Sequence, residues 1–192
     1  MDIETDFTVL FTVERRYGAD RFDRVSMALH WLTVLLVALQ LATAFLPHES
    51  GGARTLLMLH RSGGVLTLAV VLFRLVWRAR FAYLPAFPRS MPPAQQWTAK
   101  ATECGLYILL VLQPLTGLAD GLVRGRPFVL FGLQVPAVMA FHKPLFHLSG
   151  EVHELGAKVL IALICVHVGA AAFHGLVLRD GVLSRMLPKP RR

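Results

Sequence analysis

The chain has 192 residues, 55% hydrophobic and 17% charged, with a formal net charge of +8 and a mean hydropathy of +0.54. A soluble globular domain is nearer to about a quarter charged, so the composition excludes an ordinary water-soluble enzyme and leaves room for about four or five membrane spans of roughly 20 residues each. Cys104 and Cys165 lie in apolar runs, which speaks against a disulfide framework or a cysteine metal site, and the basic residues flank apolar blocks instead of forming a nucleic-acid patch.

Residues 1–20 carry Asp2, Glu4 and Asp6 before any apolar run, which is wrong for a secretory signal. They read as a tail, with a short strand or interfacial turn at Phe7–Val13. The first span runs from about Val25 to Leu46, stopped by Pro47 and the turn-prone Glu49-Ser50-Gly51-Gly52. A second runs from about Leu56 to Trp77. The following loop holds Pro85, Pro88, Pro92 and Pro93 and is not helical throughout. The third span, about Ala101 to Leu122, is interrupted at Gln113-Pro114, where a kink is expected. Pro127 to Phe141 is apolar but too short to cross, and with Gly132 and Pro136 it reads as an interfacial or re-entrant cover. The fourth span runs from about Val152 to Leu178, and residues 189–192 form a basic tail. The expected fold class is all-α, a transmembrane four-helix bundle over residues 21–188.

Lysine and arginine set the direction. Arg15, Arg16, Arg21, Arg24, Arg78, Arg80, Arg89, Lys100, Arg179, Arg185, Lys189, Arg191 and Arg192 fall on one side, against Arg54, Arg124, Arg126 and Lys143 on the other. The positive-inside rule places both termini in the cytoplasm, in keeping with an even number of spans.

Polar side chains inside spans are costly and point to function. Four histidines stand out: His30, His60, His153 and His167. His153 and His167 are close to a whole number of turns apart and roughly 21 Å apart along the axis, so both face one side, near opposite membrane surfaces. His60 matches His153 in depth, and His30 matches His167. Facing imidazoles on different helices are what a six-coordinate b-type heme requires, because its iron takes one nitrogen from each side. The expected pairs are His60 with His153 and His30 with His167. His174 shares the His167 face but lies roughly 31 Å from His153, too deep to be the ligand; it reads as a cytoplasmic surface or propionate-contacting residue. Packing or interhelical hydrogen bonding is the simpler role for any single histidine, but four matched in depth argue against it.

Neighbouring residues extend this reading. Gly63, Gly64 and Gly156 follow the outer histidines by about a turn, leaving space for a flat macrocycle or for close helix packing. Arg74 shares the His60 face roughly 21 Å deeper, placed either to pair with a heme propionate or to snorkel to the interface. Arg61 and Ser62 adjoin the outer pair as candidate propionate contacts. Lys158 points away from the His153 face and reads as snorkelling.

These segments together resemble the bacterial cytochrome b561 family, also grouped with di-heme cytochrome b subunits of hydrogenases, over about residues 20–188. The resemblance is carried by Arg21-Phe22-Asp23 through His30-Trp31, by His60-Arg61-Ser62-Gly63-Gly64 leading to Leu72-Phe73-Arg74-Leu75, and by Gly125-Arg126-Pro127 to Phe131-Gly132-Leu133. It continues with His153-Glu154-Leu155-Gly156 through His167 and with Arg179-Asp180-Gly181-Val182-Leu183 to Met186-Leu187-Pro188. The resemblance implies two heme b groups held by His30, His60, His153 and His167. It also implies a place in the bacterial inner membrane and electron exchange between the quinone pool and a second donor or acceptor. Some members are similar to superoxide oxidases, which pass electrons from periplasmic superoxide to ubiquinone. The acidic extension before Arg15 has no counterpart in the family's core pattern.

The sharpest activity this implies is superoxide:ubiquinone oxidoreductase. The outward segments carry Arg54, Arg61, Arg124, Arg126 and Lys143 with His142 and His147 nearby, a rim able to focus a small anion. Glu49, Asp120, Glu151 and Glu154 partly offset it, and marking the headgroup boundary is the simpler reading of these charges. A quinone is expected near the cover at Phe128–Phe141, with His142 and His147. Two alternatives stand: a cytochrome b subunit docking on a dehydrogenase or a c-type cytochrome, and, in another class, a cofactor-free transporter using its histidines as proton relays. Transporters of that kind often show paired interrupted helices, whereas here only the third span reads as interrupted.

Overall fold

The computed structural model describes residues 20–46, 52–88 and 90–187. The expected tail strand at Phe7–Val13, the turn at Pro47–Gly51, Arg89 and the basic tail at 189–192 lie outside them. Four helices are long and apolar enough to cross a membrane: α1 (Arg24–Phe45), α2 (Ala53–Arg80), α3 (Pro93–Val123) and α4 (Lys143–Ala172). A π-helical stretch at Phe173–Leu178 prolongs α4, and a 3-10 turn follows at Leu183–Met186. Between α3 and α4 lie two short antiparallel strands, β1 (Phe128–Leu130) and β2 (Leu133–Val135). The all-α four-helix expectation holds for the spans, and the hairpin is its one exception among the described residues.

Helix ends follow local chemistry. Asp23 caps α1: its carboxylate accepts from the Ser26 backbone N–H at 2.9 Å and from the Ser26 hydroxyl at 2.6 Å, as an N-cap does. It also accepts from Trp77 Nε1 at 3.1 Å, which ties the start of α1 to the end of α2. Partial burial pushes the Asp23 carboxyl up, but these hydrogen bonds and one from the Tyr83 backbone outweigh it and hold the group below the usual aspartate range. α3 begins at Pro93, eight residues before the expected start, because proline is tolerated in a first helical turn. α4 likewise begins before Val152, at Lys143, with the His142 ring accepting from the Leu145 N–H at 3.3 Å. The span is not broken at Gln113-Pro114: α3 is helical through Pro114, which cannot donate to the Leu110 carbonyl.

The cover after α3 is a hairpin whose two-residue loop, Phe131 and Gly132, has φ of 50° and 80°. Two positive φ values in a two-residue loop belong to the turn whose twist matches paired strands. The Phe131 N–H donates to Ser62 Oγ at 2.8 Å, which seats the hairpin on α2. Gly125, with φ 60°, turns the chain out of α3 where a Cβ would meet Phe141 Cα at 2.9 Å.

α1 packs on α2, α2 on α3 and α3 on α4. Leu35, Phe73, Val76, Leu155 and Val166 are each more than half exposed. That is a liability in water and the requirement in lipid. The core is Val71, Leu110 and Leu160, with Val37, Leu75 and Ile164 packed against it. Leu160 stands seven residues from both His153 and His167, roughly 10 Å along the axis either way. At the end opposite the hairpin, the C-terminal segment straps the bundle: Arg21 donates to the Ser184 carbonyl and Trp31 Nε1 to the Met186 carbonyl at 2.9 Å.

Candidate functional site

At the hairpin end, His60 on α2 and His153 on α4 face each other with ring centroids 6.2 Å apart and planes at 82°. At the strap end, His30 on α1 and His167 on α4 stand 6.3 Å apart at 65°. Each helix brings its imidazole inward by register alone: two positions on α4 share a face, and α1 and α2 supply one partner each. His167 retains much exposed surface. Among the described residues no cluster of three or more His, Cys, Asp or Glu side chains converges; the imidazoles come in twos.

Each hairpin-end imidazole is held from the neighbouring helix. Thr43 Oγ1 of α1 lies 3.1 Å from His60 Nδ1, and Thr116 Oγ1 of α3 lies 3.0 Å from His153 Nδ1. Gln113 Nε2 donates to the His153 carbonyl at 3.0 Å. With its amide turned to match its neighbours, Gln40 donates to the His60 carbonyl at 2.8 Å and accepts from the Gly64 N–H at 3.1 Å. The glycines serve these contacts. A Cβ on Gly63 would strike the Gln40 amide, and one on Gly156 the Gln113 amide, with Gln113 Cδ at 3.1 Å. Close helix packing, the second of the two roles read from the sequence for Gly63 and Gly156, is therefore what the structure shows. Gly117 lets the His153 ring lie against α3, where a Cβ would stand 3.0 Å from Cε1.

The strap-end pair has a different surround. Arg74 Nη2 lies 3.2 Å from His30 Nδ1, and the guanidinium also sits over the Tyr107 ring, 5.2 Å from its centroid. Arg74 therefore turns inward beside His30, instead of snorkelling away. It lines a cleft with Ser26, Phe22, Arg78, Tyr107 and Met186, and Arg78 is paired with Glu103 at 3.0 Å. His174 departs from its expected cytoplasmic surface position. It is buried, with Nδ1 2.5 Å from Asp180 Oδ2, because the π-helical stretch turns it under the strap. Partial burial pushes the Asp180 carboxyl up, but hydrogen bonds from His174 and the Val182 N–H prevail and hold it below the usual range.

The remaining named residues gather around the hairpin. Ser62 is buried and engaged by Phe131. Arg61 lies over the Phe128 ring at 5.2 Å. Arg124 pairs with Asp120 at 2.8 Å and covers the Phe146 ring at 4.7 Å. Arg126, His142, Lys143 and His147 are exposed. Lys158 is exposed and pairs with Glu154 at 2.7 Å, away from the imidazoles.

Sequence reading missed Gln40, Thr43, Gln113 and Thr116. A signal was present: the same Gln-x-x-Thr spacing occurs on α1 and α3, the two helices packed on α2 and α4, which carry His60 and His153.

A family model described as prokaryotic cytochrome b561 matches residues 21–189. Cytochrome b561 homolog 1 of Escherichia coli K12 is 30% identical over 177 residues, covering 88% of this chain and 98% of that protein. The probable superoxide oxidase CybB of Yersinia pestis is 27% identical over 175 residues, covering 89% of this chain and 98% of its own length. Cytochrome b561 homolog 2 of Escherichia coli K12 is 29% identical over 175 residues, covering 88% of this chain and 93% of its own.

Proposed function

The chain belongs to the prokaryotic cytochrome b561 family, membrane cytochromes that bind b-type heme and transfer electrons, and on that premise we propose that it carries two hemes in series and exchanges their electrons with quinone. One heme is assigned to His60 and His153, the other to His30 and His167. The carrying observation is the ring spacing of 6.2 and 6.3 Å. A metal–imidazole bond of about 2 Å plus about 1.2 Å from nitrogen to ring centre, taken on both sides of one iron, gives about 6.4 Å.

A heme iron held by two imidazoles would have no open position and would supply one-electron transfer without binding oxygen. The protein's own residues do the rest. His153 and His167 are separated by roughly 21 Å of helix, most of the roughly 30 Å hydrocarbon layer, so the two sites form a relay across it. Val71, Leu110 and Leu160 keep the interval between them apolar. Arg74 donates only, and a neutral imidazole ligated through Nε2 carries its proton on Nδ1. Were His30 to hold an iron through Nε2, its Nδ1 could not accept from Arg74, whose guanidinium would then suit a heme carboxylate by charge. Arg61 and Ser62 are the corresponding candidates at the hairpin end.

Orientation from the basic residues puts the hairpin end outside the cytoplasm of the bacterial inner membrane. The sharper reading is superoxide:ubiquinone oxidoreductase. It is supported by the name of the Yersinia pestis relative and by exposed Arg126, Lys143, His142 and His147 beside Arg124 at the hairpin rim. Two superoxide anions each give up one electron and leave as dioxygen, while ubiquinone takes both electrons and two protons. The quinone is assigned to the vicinity of the hairpin cover.

The test is a reduced-minus-oxidised spectrum with heme counted per polypeptide, followed by addition of a superoxide source with and without ubiquinone. Two hemes per chain, reduced by superoxide and reoxidised by ubiquinone, are expected. A colourless preparation would remove the cytochrome reading, and hemes that superoxide leaves oxidised would remove the oxidase alone.

A further inference from the structure

The two hairpin-end histidines sit in the same local arrangement built twice from different helices. On α1, Gln40 holds the backbone of His60 and Thr43 meets its Nδ1. On α3, Gln113 holds the backbone of His153 and Thr116 meets its Nδ1. In both, the glycine three residues after the histidine leaves the space that the glutamine occupies. We infer that Gln40-Thr43 and Gln113-Thr116 form a repeated clamp that fixes the Nδ1–H tautomer and ring rotation of His60 and His153, and so sets the potential of the hairpin-end heme alone. This rests on the assignment of a heme to that pair.

The hydroxyls point to the tautomer. Thr43 Oγ1 lies 2.9 Å from the Leu39 carbonyl and 3.0 Å from the Gln40 carbonyl, and Thr116 Oγ1 lies 2.9 Å from the Gln113 carbonyl. A hydroxyl has a single proton. Given to a carbonyl of its own helix, it leaves a lone pair facing the imidazole, so Nδ1 donates and Nε2 is left for a metal. A ligating histidine whose other nitrogen donates becomes more basic, which favours oxidised iron. The strap-end pair lacks this arrangement at His30, whose Nδ1 faces a guanidinium that can only donate. The clamp thus tunes one site and spares the other.

The experiment is redox titration and low-temperature EPR of the heme-loaded full chain as wild type, Thr43→Val, Thr116→Val, Thr43→Ser and Thr116→Ser, with His60→Leu to identify the hairpin-end signal. Valine keeps the shape and removes the acceptor. Each valine variant is expected to raise the midpoint potential of the hairpin-end heme and shift its low-spin EPR signal, leaving the strap-end heme unmoved, and each serine variant to restore wild-type values. If a valine variant binds no heme at that site, a serine variant with heme at the wild-type potential supports the clamp. Unmoved potentials and spectra in both valine variants, or serine variants that behave like valine, overturn it. Should His60→Leu retain every heme, the ligand assignment fails and the clamp falls with it; loss of one heme in His60→Leu beside silent valine variants sinks the clamp alone.

Discussion

Pairing of the imidazoles across helices has a consequence that heme counting can read. His153 and His167 share α4, but their partners stand on different helices, α2 and α1. On the proposed assignment the two rings of each pair, 6.2 or 6.3 Å apart, would share one heme iron, and replacing either with leucine would leave only one imidazole to hold it. Each of the four single variants is therefore expected to drop the heme content from two per chain to one. The double variants separate the pairing from mere loss of stability. His60→Leu with His153→Leu removes two ligands of the same heme and should still leave one. His153→Leu with His167→Leu removes one ligand from each and should leave none. Such non-additivity is the mark of residues acting on one shared object. The assay is pyridine hemochromogen absorbance against amino-acid analysis of purified protein, with helical content by circular dichroism as the folding control. A folded His60/His153 double variant devoid of heme, or four single variants that each retain two, would refute the pairing.

Three further outcomes follow from packing and charge. Leu160 is 6% exposed at the centre of the core, so Leu160→Ala should cost about 2–5 kcal/mol of cavity and contact energy, seen as a lower Tm in detergent. Gly125→Ala demands a left-handed backbone of φ 60° and drives a Cβ against Phe141; a loss of about 1–2 kcal/mol is expected, with proteolysis between α3 and β1 as the local readout. Asp23→Ala should remove about 0.5–2 kcal/mol of helix capping. Because the folded-state value of Asp23 lies below its ordinary one, its ionised form contributes stability above the ordinary aspartate value of about 4, and that contribution disappears as pH falls through the folded value. Asp23→Asn, which still caps, should flatten that acid limb of the Tm–pH curve; an unchanged limb would show the carboxylate is not responsible.

Much of this architecture was legible because lipid imposes blunt rules. Twenty or so apolar residues must be helical to satisfy their backbone, so the four spans can be marked from hydropathy, and helical periodicity places His153 and His167 on one face. Other features depend on contacts that no local pattern encodes. The hairpin requires Phe131 at a positive φ that few side chains adopt, and its N–H is engaged by Ser62, 69 residues away. His174 looks like a surface residue until the π-helical stretch and the strap bring Asp180 to it.

The amino-acid order alone determined the number of spans, the inward histidines and their depth, since these depend only on length, polarity and a fixed rise per residue. Tertiary structure decided what the Nδ1 of three of these imidazoles meets. A threonine hydroxyl faces Nδ1 at His60 and His153, whereas a guanidinium faces it at His30. Those partners come from other helices, and their meeting depends on helix rotation and close approach at Gly63, Gly117 and Gly156. Such distances are set by packing across the bundle, which the periodicity of one strip of sequence does not contain.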